Sequence, residues 1–158
     1  MFRIGIGKDS HLFDKAKEGE FLLGGVSFEG HPFNAHSDGD VVYHSVFNAI
    51  SSALGKRSIG YYFPNTSERE RGRDSSNYIK EALLWMHESG LRVVSLSIAI
   101  ECQFPKIEPT VDNMKENLSF LLELPKECIG ITATSGEGAT PWGRGEGVEV
   151  ISVVLLSK

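Results

Sequence analysis

Cysteine is scarce in this chain of 158 residues: Cys102 and Cys128 are the only two, far apart and without a C-x-x-C spacing. That excludes a disulfide framework and a thiolate-bound metal, and leaves buried, reduced thiols of a cytoplasmic protein as the expectation. Long apolar runs are missing as well. No segment approaches the roughly 20 apolar residues that a membrane-crossing helix needs, and the opening M-F-R-I-G-I-G-K-D has none of the apolar length of a signal peptide. Basic charge is in short supply: 16 Lys and Arg stand against 21 Asp and Glu, a net charge of −5, and the basic residues are scattered. A basic footprint for nucleic acid is therefore excluded. Nor is there a G-x-G-x-x-G opening a helix, so the glycines of Gly143-Arg144-Gly145-Glu146-Gly147 point to close backbone packing, within the fold or at a subunit interface, rather than to a dinucleotide. No internal repeat or low-complexity tract occurs.

What is present suits a single domain, residues 1–158, with a sizeable core. Phe2 to Gly7 alternates as a short strand that ends where Asp9 and His11 begin. Glu20 to Phe28 reads as a second strand, bent at Gly24-Gly25. Asp38 is placed to cap a helix in which Val41, Val42, Ser45, Val46, Ala49, Ile50, Ala53 and Leu54 recur at helical spacing, closed by Gly55. Residues 56–74, with Gly60, Pro64, Asn65 and alternating Arg and Glu, read as a mobile surface loop, either a lid or a plain solvated connection. Helices are predicted over 75–88 and from Glu108 to about Leu124. Strands are predicted over 92–103, with Val94, Leu96, Ile98 and Ile100 on its apolar face, over 129–134 and over 147–156. Strands and helices do not strictly alternate, which predicts an α+β fold with a mixed sheet packed against helices.

Three of the five histidines and three aspartates crowd into D-S-H at 9–11 and N-A-H-S-D-G-D-V-V-Y-H at 34–44. Asp9 and His11, two apart in an extended segment, point to the same side. Asp40 and His44, four apart on a helix, share a face. Two neutral imidazoles and a carboxylate are the ligands of an open zinc site, so Asp9, His11 and His44 are the candidate metal ligands of a metal-assisted enzyme. His36 and Asp38 are candidates to hydrogen-bond the ligands, while His31 and His87 read as ordinary surface or core groups. Ala133-Thr134-Ser135-Gly136-Glu137-Gly138 follows a strand and offers hydroxyls and backbone amides to phosphate, with a plain turn as the alternative. Glu137 repels phosphate unless a cation such as magnesium stands between them.

Taken in order, D-S-H, A-H-S-D-G-D-V-x-x-H, Phe63-Pro64, Pro105-Lys106, A-T-S-G-E and G-R-G-E-G resemble the 2-C-methyl-D-erythritol 2,4-cyclodiphosphate synthases, over essentially the whole chain. The resemblance implies a homotrimer with active sites between subunits and a cavity on the threefold axis. It implies cyclisation of 4-diphosphocytidyl-2-C-methyl-D-erythritol 2-phosphate with release of CMP, in the non-mevalonate route to isoprenoid precursors. By that likeness zinc is held by Asp9, His11 and His44, and magnesium or manganese by Glu137. His36, Ser37, Ser58 and Gly60 would meet the methylerythritol and phosphate part. Pro105, Lys106, Ala133, Thr134, Ser135 and Arg144 would meet the cytidyl diphosphate, with Ser135 and His36 as catalytic groups. The chain departs from the family where D-I-G becomes Ser58-Ile59-Gly60, where F-P-D-T-D becomes F-P-N-T-S and where A-T-T-T-E-K-L-G becomes A-T-S-G-E-G-A-T; Lys8 and Pro141 fall at positions expected to line the axial cavity. A second reading keeps the fold and the metal but makes the chain an isoprenoid-phosphate-binding homologue with impaired turnover.

Overall fold

Residues 1–158 are described by a computed structural model. The first strand, β1, runs from Phe2 to Leu12, so Asp9 and His11 lie within it rather than beyond its end. A two-residue turn then follows where a bend is predicted: β2 (Gly19–Leu23) and β3 (Val26–Gly30) form an antiparallel hairpin with Leu23 opposite Val26. Gly24 and Gly25 make the turn at φ +57° and +73°, a backbone that residues with a Cβ rarely adopt.

Helix α1 (Val41–Ala53) comes next, then a four-residue helix α2 (Ile59–Tyr62) and α3 (Ser76–Glu88). Strand β4 (Arg92–Glu101), helix α4 (Val111–Leu122), β5 (Ile129–Thr134) and β6 (Gly147–Ser157) complete the chain. The main sheet has the order β1-β6-β4-β5. Its β4–β5 pair is parallel because α4 carries the chain back across the sheet between them; the other pairs are antiparallel. The architecture is the mixed sheet with helices that the sequence predicts.

Register decides what each face carries. Gly5, Gly7, Asp9 and His11 share one face of β1 with the opposing Val154, Ser152, Val150 and Val148 of β6. Leu96, Ile98 and Ile100 of β4 join that face beneath the helices, in a core of 31 buried residues. The opposite face is open, with Phe2, Ile4 and Ile6 at 72%, 71% and 63% exposure. On β4 the predicted apolar alternation slips by one residue: a bulge between Val93 and Ser95 buries Val93 in place of Val94.

The remaining difference concerns the start of α1. Its N-cap is Asp40, not Asp38: the Asp40 carboxylate accepts the N–H of Tyr43 and also those of Gly24 and Gly25, at 3.2, 2.9 and 2.7 Å. The hairpin turn is thus tied to the first turn of the helix. Burial pushes the Asp40 carboxyl above its ordinary range, and the three N–H donors pull against that rise. With Asp40 committed to the hairpin, it does not share a functional face with His44.

Candidate active site

Helix α1 approaches β1 so closely that a Cβ at Gly7 would collide with the backbone of Ser45 and Ala49, and one at Gly5 with that of Ala49 and Ala53. This contact carries His44, next to Ser45, onto the face where Asp9 and His11 project. His44 Nδ1 lies 3.0 Å from Asp9 Oδ2 and 3.2 Å from His11 Nε2, and His11 Nε2 lies 3.6 Å from Asp9 Oδ2. A tetrahedral zinc ion with bonds of about 2.0–2.1 Å places neighbouring ligand atoms about 3.3 Å apart. The triangle matches that spacing, so the Asp9, His11 and His44 donors fit a divalent metal. Burial holds the His11 imidazole below its ordinary pKa of 6.5, against the opposing pull of Asp9, which favours the neutral form a metal requires.

The triad opens into a cavity of about 410 Å³ whose walls include His36, Ser37, Gly60, Phe63, Glu70 and Tyr78. Far from being a loose loop, residues 64–74 are fastened over this cavity. The N–H of Gly72 donates to the His36 carbonyl at 2.8 Å, and that of Asp38 to the Arg73 carbonyl at 3.1 Å. The His36 ring donates from Nε2 to the Ser67 carbonyl at 3.0 Å, which leaves Nδ1 as its acceptor. Glu70, only 5% exposed, takes two hydrogen bonds from Arg73 at 3.0 and 3.1 Å and one from the Tyr78 hydroxyl at 2.9 Å. Burial and that bond raise the Tyr78 phenol above its usual range.

A second cavity, of about 370 Å³, lies at the β4 and β5 ends and includes Pro105, Lys106, Ala133, Thr134 and Ser135. It shares no residue with the first. Cys102 also borders it; burial pushes this thiol up to about 11, in keeping with the inert, reduced cysteine expected. Glu137 follows in an exposed turn at φ +45°.

Three predicted site residues are not brought to either cavity, Glu137 in its exposed turn being the first. Ser58 begins α2, and that turn directs Ile59 and Gly60 toward the metal while Ser58 borders a separate hollow with Lys8, Lys56 and Arg57. Arg144 is exposed and pairs with Glu146 at 3.0 Å. The glycines of its motif do serve packing: a Cβ at Gly143 would crowd the Gly136 carbonyl at 2.7 Å. Gly5, Gly7, Glu70, Ser75 and Tyr78 were not foreseen as site residues. Only the G-I-G of β1 carried a signal, small residues at a two-residue spacing leading into Asp9 and His11.

The model of the YgbB family matches residues 2–157. The chain belongs to the YgbB family. Two YgbB relatives are the 2-C-methyl-D-erythritol 2,4-cyclodiphosphate synthases of Hydrogenobaculum sp., 38% identical over 100% of this chain and 99% of that protein, and of Chlamydia trachomatis serovar L2b, 39% identical over 99% and 88%. Among solved structures, the Plasmodium falciparum IspF–CDP complex superimposes with a TM-score of 0.86 at 29% identity, covering 98% of this chain and 95% of that one.

Proposed function

We propose that this YgbB protein is the enzyme that cyclises 4-diphosphocytidyl-2-C-methyl-D-erythritol 2-phosphate to 2-C-methyl-D-erythritol 2,4-cyclodiphosphate, releasing CMP in the non-mevalonate route to isoprenoid precursors. The observation that carries the reading is the Asp9, His11 and His44 triangle lining a cavity with both polar and apolar walls, in a chain that matches the synthases along its whole length.

In the reaction an oxygen of the 2-phosphate attacks the β-phosphorus of the diphosphate. A new P–O bond forms, the bond from that phosphorus to the bridging oxygen breaks, and CMP leaves with the electron pair. The nucleophile is already an oxyanion, so no general base is needed, in accord with the lack of an activated serine or cysteine. Bringing the two ends of one flexible substrate together supplies much of the acceleration. Asp9, His11 and His44 would hold zinc and Glu137 would hold magnesium or manganese, which when bound would offset the negative charge of the phosphate groups. His36, whose Nδ1 is left as acceptor, and Ser37 orient the methylerythritol part beside Gly60. Lys106 contributes a point charge to the cytidyl diphosphate, and the Ser135 hydroxyl donates to the phosphate undergoing attack.

The two cavities must meet for this chemistry, yet within one chain they share no wall. The assembly that unites them is a homotrimer in which the metal cavity of one subunit faces the Lys106 and Ser135 cavity of the next. The open sheet face with Phe2, Ile4 and Ile6 supports such an assembly, since exposed apolar patches mark association surfaces. No helix is long and apolar enough to cross a membrane. Nothing in the site favours the impaired-homologue reading.

The mutation His44→Ala tests the assignment. It removes one of three ligands, and we expect zinc to be lost by metal analysis and CMP release to fall to background by chromatography, with the circular dichroism spectrum retained. Full CMP release from the zinc-free variant would refute the metal assignment.

A further inference from the structure

His44 turns Nδ1 to Asp9 and His11, and its other nitrogen enters a chain of hydrogen bonds that reaches Asp38 through Ser75. Nε2 lies 2.8 Å from the hydroxyl of Ser75, a fully buried residue at the start of α3. The Ser75 hydroxyl in turn makes a short hydrogen bond to Asp38 Oδ1. Asp38 is itself fixed, accepting the N–H of Ser75 on Oδ2 at 2.9 Å and that of Asp40 on Oδ1 at 3.0 Å. We propose that Asp38, acting through Ser75, is a positioning residue that holds His44 in the tautomer whose Nδ1 lone pair faces the metal. The inference rests on the metal reading of the triad.

The direction of every proton in the chain follows from donor and acceptor capacity. A carboxylate only accepts, and a serine hydroxyl has one proton to give. Ser75 gives that proton to Asp38, so its oxygen must accept from His44. With a cation in the triangle the N–H of His44 is therefore on Nε2 and the Nδ1 lone pair faces the ion; without one, Asp9 Oδ2 at 3.0 Å competes for a proton on Nδ1. The ring plane is set separately, by the edge contact with Tyr78 at 5.6 Å between centroids. Ser37 Oγ, 3.3 Å from Nε2, is a longer and weaker alternative acceptor, since it already takes the N–H of Gly39. Metal-bound imidazoles commonly pass their second N–H to a carboxylate or carbonyl; here a serine from a distant helix stands between the two. Asp38 thus leaves the helix cap to Asp40 and serves the metal.

The first test needs no variant. In the zinc-loaded wild type, long-range proton–nitrogen NMR of His44 should show the proton on Nε2 and Nδ1 as the metal-bound nitrogen; a proton on Nδ1 with zinc on Nε2 would overturn the proposal. The second measures zinc affinity by chelator competition. Ser75→Ala should bind zinc about 10–100-fold more weakly than wild type, and Ser75→Thr, which keeps the hydroxyl, should hold both the tautomer and most of the affinity. Equal affinity in wild type and Ser75→Ala, or a loss in Ser75→Thr as large as in Ser75→Ala, would overturn it. A wild type that binds no zinc would sink the metal reading, and with it the inference that rests on it.

Discussion

His44 is constrained at both ring nitrogens, and His11 is constrained by burial; the candidate metal site depends on these two facts. Because burial lowers the His11 pKa below 6.5, the unfolded chain takes up a proton on this side chain before the folded protein does as pH falls. The stability attached to the neutral ring is full above pH 6.5 and is lost as pH drops through that value toward the folded pKa. We expect the melting temperature of the metal-free protein to decline below pH 6.5 and the decline to be reduced in His11→Gln; an unchanged pH profile in that variant would contradict the burial argument. At this scale the ligands were legible, because Asp9 and His11 stand at a two-residue spacing and all three are of metal-binding type. Ser75 was not, being separated from His44 by 31 positions at the start of a predicted helix, where a serine reads as no more than a helix terminus. The cap of α1 was assigned to Asp38 in place of Asp40 for a similar reason: which aspartate caps the helix depends on Gly24 and Gly25, whose amides reach Asp40 only once the hairpin has folded.

At the scale of elements, the decisive contact is that of α1 on β1. It brings ligands from two elements together, and it exists because Gly5 and Gly7 present no side chain to the helix. Gly7→Ala sets a methyl group against the Ser45 and Ala49 backbone, which has no flexible end to move aside. We expect a loss of at least about 1–3 kcal/mol in urea denaturation, the usual cost of overpacking, together with weaker zinc binding as α1 is pushed from β1. Wild-type stability and zinc affinity in this variant would contradict the close-approach account. The three long helices and most strands were legible from periodicity alone, whereas α2 lay in the stretch read as a loop. The β4 bulge was not: Val93 and Val94 are chemically identical, and their inward or outward direction is set by pairing with β6. The anchoring of residues 64–74 was hidden too, since Arg and Glu in alternation look the same whether they face water or, like Glu70 and Arg73, close on each other above a cavity.

For the whole molecule, the proposed trimer makes a prediction that a self-contained subunit does not share. His44→Ala destroys the metal half of a site and Lys106→Ala weakens the cytidyl half, so each pure variant is poorly active at low substrate concentration. When the two are refolded together in equal amounts, about one quarter of the intersubunit sites should combine an intact metal half with an intact cytidyl half. CMP release should therefore recover toward that fraction of the wild-type rate, whereas no recovery would show that each chain contains its own complete site. The α+β class was readable from the order of elements, whereas a site divided between subunits was implied by the family resemblance alone, because the separation of the two cavities depends on where the far ends of the sheet lie.

The central claim is a metal-dependent cyclisation, and phosphorus NMR of the purified protein with the cytidyl substrate and magnesium tests it most directly. The account predicts a cyclic diphosphate appearing in step with CMP, both lost when zinc is removed by a chelator and restored when zinc is returned. The same cyclic product at the same rate without zinc, or a linear phosphate from attack by water in its place, would contradict it.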